Sequence, residues 1–381
     1  MKRAAAAAIS LMTGLAMLTG CSRAEVEETI QPLVADAIEE SDSEAEAVKE
    51  EDESPLIPAI DTDIKIHAGS RIAVVSKCVK GEYWKMVKKG MEDAVKEINK
   101  AYGYKKDDQI TMTFEGPDNE EDVETQINTI DAVIAENPDV LCISASDMDS
   151  CEAQLEAAKE NGIPVIAFDS NVAEKKLVKA YRGTDNVQVG KMAAYQLGSA
   201  LGKMGKVAVF SAQQKTKSVQ DRVEGFMNNI GKYGDIEVVE TIYSDQVDDM
   251  EASMKEVLEK YPTLDGVFCT NADITEMYLN LEKSDEHDAP ALVGVDATTK
   301  QQEAIRNGEE IGCVSQQPYA MGYQTIWAAV ETTAPKKSVV IEKNVLSNPA
   351  WIDADCLDDP DYSGYLYTCL LYTSPSPRDS T

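Results

Sequence analysis

The sequence predicts an α/β protein of two similar lobes, each a parallel sheet covered by helices. Three observations carry this. From Arg71 onward short apolar runs alternate with amphipathic helical patterns, the signature of βα units. The pattern restarts at Lys206, an offset of about 130 residues and the size of one domain. Each half then ends an apolar strand in an aspartate, Asp169 in "VIAFDS" and Asp296 in "VGVDA".

The elements follow in order. "RIAVVS" reads as a strand leading to a helix over Tyr83 to Tyr102, with Trp84, Val87, Met91, Ala94, Val95 and Ile98 on one face. "ITMTFEG" is the second strand, before a helix carrying Val123, Ile127, Ile130 and Ile134. "DVLCIS", a helix over Glu152 to Glu160 and "IPVIAF" complete the first series. In the second half "KVAVFS" echoes "RIAVVS", "YPTLDGVFCT" echoes "NPDVLCIS", and "ALVGVDA" echoes "VIAFDS". Ligands bind beyond the carboxyl ends of strands in open parallel sheets, so two such lobes would face Asp169 and Asp296 across a cleft.

The N-terminal region has a different character. Lys2 and Arg3 precede an apolar run from Ala4 to Leu18, too short for a stable span and suited to export. The run ends in Leu18-Thr19-Gly20-Cys21, which resembles the bacterial lipobox and implies diacylglycerol on Cys21. Residues 22–63 hold fifteen acidic residues against two basic ones, which predicts a self-repelling tether with a possible short helix from Val26 to Ile38. Extracytoplasmic attachment to the bacterial cell membrane through Cys21 is the expectation.

Charge and cysteines exclude several classes. A formal net charge of -32, with scattered Lys and Arg, opposes nucleic-acid binding. No CxxC pair signals zinc or thioredoxin chemistry, and Cys142, Cys269 and Cys313 fall in apolar strands as small hydrophobes. No nucleophile elbow, P-loop or dinucleotide fingerprint occurs, and His67 and His287 lie in polar surroundings. No enzyme, metal or cofactor is therefore expected. The opposed acids Asp169 and Asp296 suggest glycoside hydrolysis as the alternative chemistry, although hydrogen-bond acceptance accounts for them better.

The stretches "GEYWKMVKKGMEDA", "NGIPVIAFDSN", "GTDNVQVGKMAAYQLG", "SVQDRVEGF", "FCTNAD", "LVGVDA" and "VSQQPYAMGYQ", in this order, resemble the periplasmic sugar-binding proteins of ABC transporters, type I class, with ribose- and galactose-binding proteins. The resemblance runs from about Lys65 to Val345. It implies two Rossmann-like lobes joined by a multi-stranded hinge: an N-terminal lobe over 64–183 plus 317–343 and a C-terminal lobe over 184–316 plus 344–364. Residues 1–20 would be the lipoprotein signal and 21–63 the tether. Residues 365–381, ending in "CLLYTSPSPRDST", resemble translated adapter read-through and are expected to be a disordered or artefactual tail.

The same resemblance implies site roles. Asp169 and Asp296 would take sugar hydroxyls, Arg222 would contribute a guanidinium, Asn271 an amide and Gln316 a hinge glutamine. Tyr83 and Trp84 would stack on the sugar ring, although Trp84 also lies on the apolar face of its helix. Ser170 and Asn171 complete the set. Such groups satisfy vicinal hydroxyls while aromatic faces cover C–H surface. Gly81, Ser170, Gln246 and Val295 depart from the ribose-type pattern, which implies a rewired pocket for a small polyhydroxylated solute and no particular sugar. The implied partners are that solute, an ABC permease and the membrane, with a monomeric protein. A ligand-presenting sensor for a signalling sugar such as autoinducer-2 is the alternative. A repressor of the same fold would need a DNA-binding element where this chain has its signal and tether.

Overall fold

The structure, a computed structural model, describes residues 57–281, 289–335 and 339–367. The signal segment, Cys21, the Val26–Ile38 helix, most of the tether, His287 and residues 368–381 lie outside the described residues.

Two six-stranded sheets form the core. The first contains β1 (Arg71–Val75), β2 (Thr111–Glu115), β3 (Val140–Ile143), β4 (Val165–Phe168), β5 (Ala180–Thr184) and β11 (Asn344–Ser347), in the order β11-β5-β4-β3-β1-β2, all parallel. The second contains β6 (Met204–Ser211), β7 (Asp235–Tyr243), β8 (Gly266–Cys269), β9 (Ala291–Val295), β10 (Gly312–Ser315) and β12 (Ala350–Ile352). Its order, β12-β10-β9-β8-β6-β7, repeats the first, with β12 as an antiparallel edge. The expected internal repeat is therefore present strand by strand.

Sequence explains the layering. The central strands β3 "VLCI" and β4 "VIAF" are buried at every position, because helices cover both faces. Edge strand β2 "TMTFE" alternates exposed and half-buried residues, as a strand with one open flank does. Cys142, Cys269 and Cys313 are buried strand residues.

In each lobe one helix pair crosses at glycines. α1 (Gly81–Tyr102) meets α9 (Pro318–Thr332) where a Cβ on Gly90 would stand 2.0 Å from the Tyr319 carbonyl oxygen. α4 (Asn186–Ala200) meets α5 (Lys217–Ile230) where a Cβ on Gly190 would stand 1.9 Å from the Arg222 carbonyl oxygen. Backbones this close admit no side chain between them. The remaining helices are α2 (Val123–Ala135), α3 (Glu152–Glu160), α6 (Met250–Lys260), α7 (Ala272–Leu279) and α8 (Thr299–Asn307).

The chain passes between the sheets three times: after β5, between β10 and α9, and between β11 and β12. This corrects the expected division at 344. β11 joins the first sheet, because Asn344–Ser347 continues the parallel ladder beside β5, and only β12 onward belongs to the second. Two expected boundaries also move. Ile60 and Ile64 pack on the first-lobe core and Tyr102 Oη donates to the Asp61 and Ile64 carbonyls, so the packed chain begins before residue 64. At the other end Leu366 and Tyr367 are buried, so the residues from 365 to 367 belong to the packed chain and not to a tail.

Candidate functional site

Asp169 follows β4 directly and Asp296 follows β9 directly, and both have left-handed backbones, with φ of 55° and 79°. Few non-glycine residues adopt this conformation. Here it turns the chain at the end of a buried strand and leaves a carboxylate on the cleft floor.

Each carboxylate is held by three donors. Tyr83 Oη donates to Asp169 Oδ1 at 2.6 Å, Ser144 Oγ donates to Oδ2 at 2.8 Å, and Lys77 Nζ lies 3.1 Å from Oδ2. Gln316 Nε2 and Tyr367 Oη donate to Asp296 Oδ1 at 2.7 and 3.0 Å, and the Ala272 N–H donates to Oδ2 at 3.0 Å. An ionised carboxylate has about four acceptor positions, so each retains one.

Asp169 is buried, which pushes its carboxyl upward. The Lys77 charge, the Tyr83 hydrogen bond, the Arg222 charge and the Ser144 hydrogen bond outweigh this and hold it below the ordinary range. Burial works against the Lys77 ammonium too, but Asp169 and Glu120 raise it above the ordinary lysine value.

Between the two aspartates lies a cavity of about 460 Å³, within the range of small-molecule sites. Asp169, Arg222, Asn271, Asp296, Gln316, Tyr83 and Trp84 all line it, so seven of the nine residues singled out from sequence converge. Arg222 is buried. Its Nε donates to Asn186 Oδ1 at 2.8 Å and its Nη1 to the Thr270 carbonyl at 2.8 Å, which aims the fork from α5 across the floor. Asn271 has two roles. Its Oδ1 caps α7 by accepting the Ile274 N–H at 3.1 Å, while the residue lines the cavity.

Tyr83 and Trp84 are both buried and meet edge to face, with centroids 5.1 Å apart. Both also reach the wall, because Trp84 Nε1 donates to Glu120 Oε1 at 2.7 Å and the Tyr83 hydroxyl is spent on Asp169. Trp84 is thus core and wall at once.

Ser170 and Asn171 do not line the cavity. The positive φ at Asp169 reverses the chain. Ser170 Oγ then accepts the Ser218 N–H at 3.3 Å, and Asn171 Oδ1 accepts its neighbour's N–H at 2.9 Å. Gln246 is also outside, bonding Gln214, so its departure from the ribose-type pattern does not reshape this wall.

Sequence reasoning missed Lys77, Glu120 and Tyr367. Lys77 is buried after β1, 3.1 Å from Asp169 and 3.5 Å from Glu120, and lies 5.7 Å from the Trp84 ring centre. A lysine just past a strand reads as solvated, and only the apolar run before it hinted otherwise.

The two lobes meet around the cavity. Thr216 Oγ1 donates to the Ser146 carbonyl at 2.6 Å, Gln213 Nε2 to the Glu120 carbonyl at 3.0 Å, and the Thr299 N–H to Glu82 Oε2 at 2.7 Å. The cleft is closed.

Residues 72–337 match the periplasmic binding protein domain. The chain belongs to this family. Among curated relatives, this binding protein is 26% identical over 220 residues to the ribose import binding protein RbsB of Bacillus subtilis, covering 58% of this chain and 71% of that one. It is 21% identical over 289 residues to the D-allose-binding periplasmic protein of Escherichia coli, covering 72% and 88%. Over 211 residues it is 25% identical to the xylitol-binding protein of Mycolicibacterium smegmatis, covering 55% of this chain and 60% of the relative. A solute-binding protein of Agrobacterium vitis with bound D-fucose superposes with a TM-score of 0.70 at 26% identity, over 78% of this binding protein and 100% of the other. The fold is that of the type I periplasmic binding proteins.

Proposed function

We propose that this binding protein is an extracytoplasmic lipoprotein that captures a monosaccharide-like polyhydroxylated solute between its lobes and delivers it to an ABC permease. One observation supports this above the rest: two opposed, buried carboxylates, each oriented by three donors and each with one acceptor position left, face one cavity. A hydroxyl donates to such a position and accepts from a guanidinium such as Arg222. The relatives named for ribose, allose and xylitol, and the neighbour with D-fucose, fit this solute class. Binding without a reaction is the proposed activity, and Cys21 the proposed anchor.

The test is a thermal-shift and calorimetric panel of pentoses, hexoses, polyols and autoinducer-2. A solute at 100 times its Kd adds about 2.7 kcal/mol to the folded state. At least one saturable binder is expected, weakened in Arg222→Ala. A folded protein that binds nothing in the panel ends the sugar reading. Cys21→Ala is expected to move the protein from the membrane fraction to the soluble one, and a protein that stays membrane-bound ends the anchor assignment.

A further inference from the structure

We infer that Tyr367 is a positioning residue of the binding site, fixing the Asp296 carboxylate and joining it to the opposite lobe. The inference rests on the proposed solute site. Tyr367 is fully buried yet stands outside the cavity wall, behind Asp296. Its backbone belongs to the second lobe: its N–H donates to the Ala297 carbonyl at 3.0 Å, and its carbonyl accepts from Gln302 Nε2 at 3.3 Å. Its ring belongs to the first lobe, packed in the apolar cluster that contains Trp84, Met321 and Trp327.

The hydroxyl then reaches back to Asp296 Oδ1 at 3.0 Å. With Gln316 it fills that oxygen, so that Oδ2 carries the acceptor position left for solute. The Tyr367 ring also lies 5.9 Å from the ring of Tyr83, whose hydroxyl donates to Asp169 Oδ1. Each carboxylate thus accepts from a tyrosine, Asp169 from one in the cavity wall and Asp296 from one outside it, and the two rings are neighbours. Opening the lobes would pull the ring from one lobe or the hydroxyl from the other. The orientation of Asp296 is therefore tied to closure.

The test uses the purified chain with Tyr367→Phe, which keeps the ring and removes one hydroxyl. Affinity for the panel sugar that wild type binds most tightly, drawn from D-ribose, D-allose, D-tagatose, D-fucose, D-arabinose and xylitol, is expected to fall about tenfold. The melting temperature should stay within a few degrees. Crystals of the unliganded variant are expected to show the Asp296 carboxylate rotated away from Gln316. Unchanged affinity overturns the inference, and so does weaker binding with Asp296 unmoved, which would reduce Tyr367 to packing. If no panel sugar binds wild type, the solute reading falls and the Asp296 rotamer in the variant crystals alone decides this one.

Discussion

Lys77 Nζ and Asp169 Oδ2 form a buried ion pair at 3.1 Å on the floor of the cleft, each side chain about 5% exposed or less. Removing one member of such a pair strands the other, at about 3–5 kcal/mol. Asp169→Ala is therefore expected to lower stability as well as abolish solute binding. Lys77→Met with Asp169→Asn should recover most of the stability and none of the affinity. Urea denaturation beside calorimetry separates the two effects. If the single variant is as stable as wild type, the pair is not desolvated as described.

Arg222→Lys keeps the charge and loses the fork. A lysine cannot bond both Asn186 Oδ1 and the Thr270 carbonyl while also facing the cavity. Hydrogen bonds to charged groups are worth about 1.5–3 kcal/mol, so the Kd should rise roughly 10- to 100-fold. Titration calorimetry checks this. A Kd within twofold of wild type would show that charge alone matters there.

Gly190→Ala puts a methyl group where the Arg222 carbonyl oxygen lies 1.9 Å away, so α4 and α5 must separate. Overpacking of this kind costs about 1–3 kcal/mol. Because α5 carries Arg222, solute affinity should fall with stability. A variant that lost stability and kept full affinity would show that α5 shifts without moving Arg222.

Glu310 sets an alkaline limit. It is buried and its carboxyl is pushed up to about 8 by burial, with hydrogen bonds from Gln301 at 3.3 Å and from the Gly294 backbone too weak to reverse this. A carboxyl raised on folding contributes stability that is full below its unfolded value, near 4.5, and is lost as pH rises through about 8. Asp169 has the opposite sign. Its lowered carboxyl contributes above the ordinary value near 3.8 and loses that contribution as pH falls below it. Stability should therefore be greatest at mildly acidic pH. Glu310→Gln should flatten the decline between pH 5 and 8 in melting curves. A decline unchanged in that variant would place its origin elsewhere.

The parts of the site legible in sequence are those that end strands. Asp169 and Asp296 stand out because a buried run stops at a charge, and Arg222, Asn271 and Gln316 because their surrounding motifs resemble a family. Ser170 and Asn171 were misplaced because adjacency in sequence does not survive a left-handed turn. Lys77 and Tyr367 were not legible, since nothing local to either reveals the partner: Asp169 lies 92 residues from Lys77, and Asp296 lies 71 from Tyr367. The sheets followed from alternation of apolar runs. The placement of β11 did not, because which edge a short strand joins depends on where the chain crosses.

Those crossings have a mechanical consequence. A single tether between two bodies permits twist, slide and bend alike. Three covalent strands side by side resist torsion and shear and leave bending as the soft direction. The glycine crossings bring helix backbones into direct contact inside each lobe. Two carboxylates on separate halves can then return to the same separation at every closure without a search over orientations, and the entropy of assembling the site is met largely by the fold before any solute arrives.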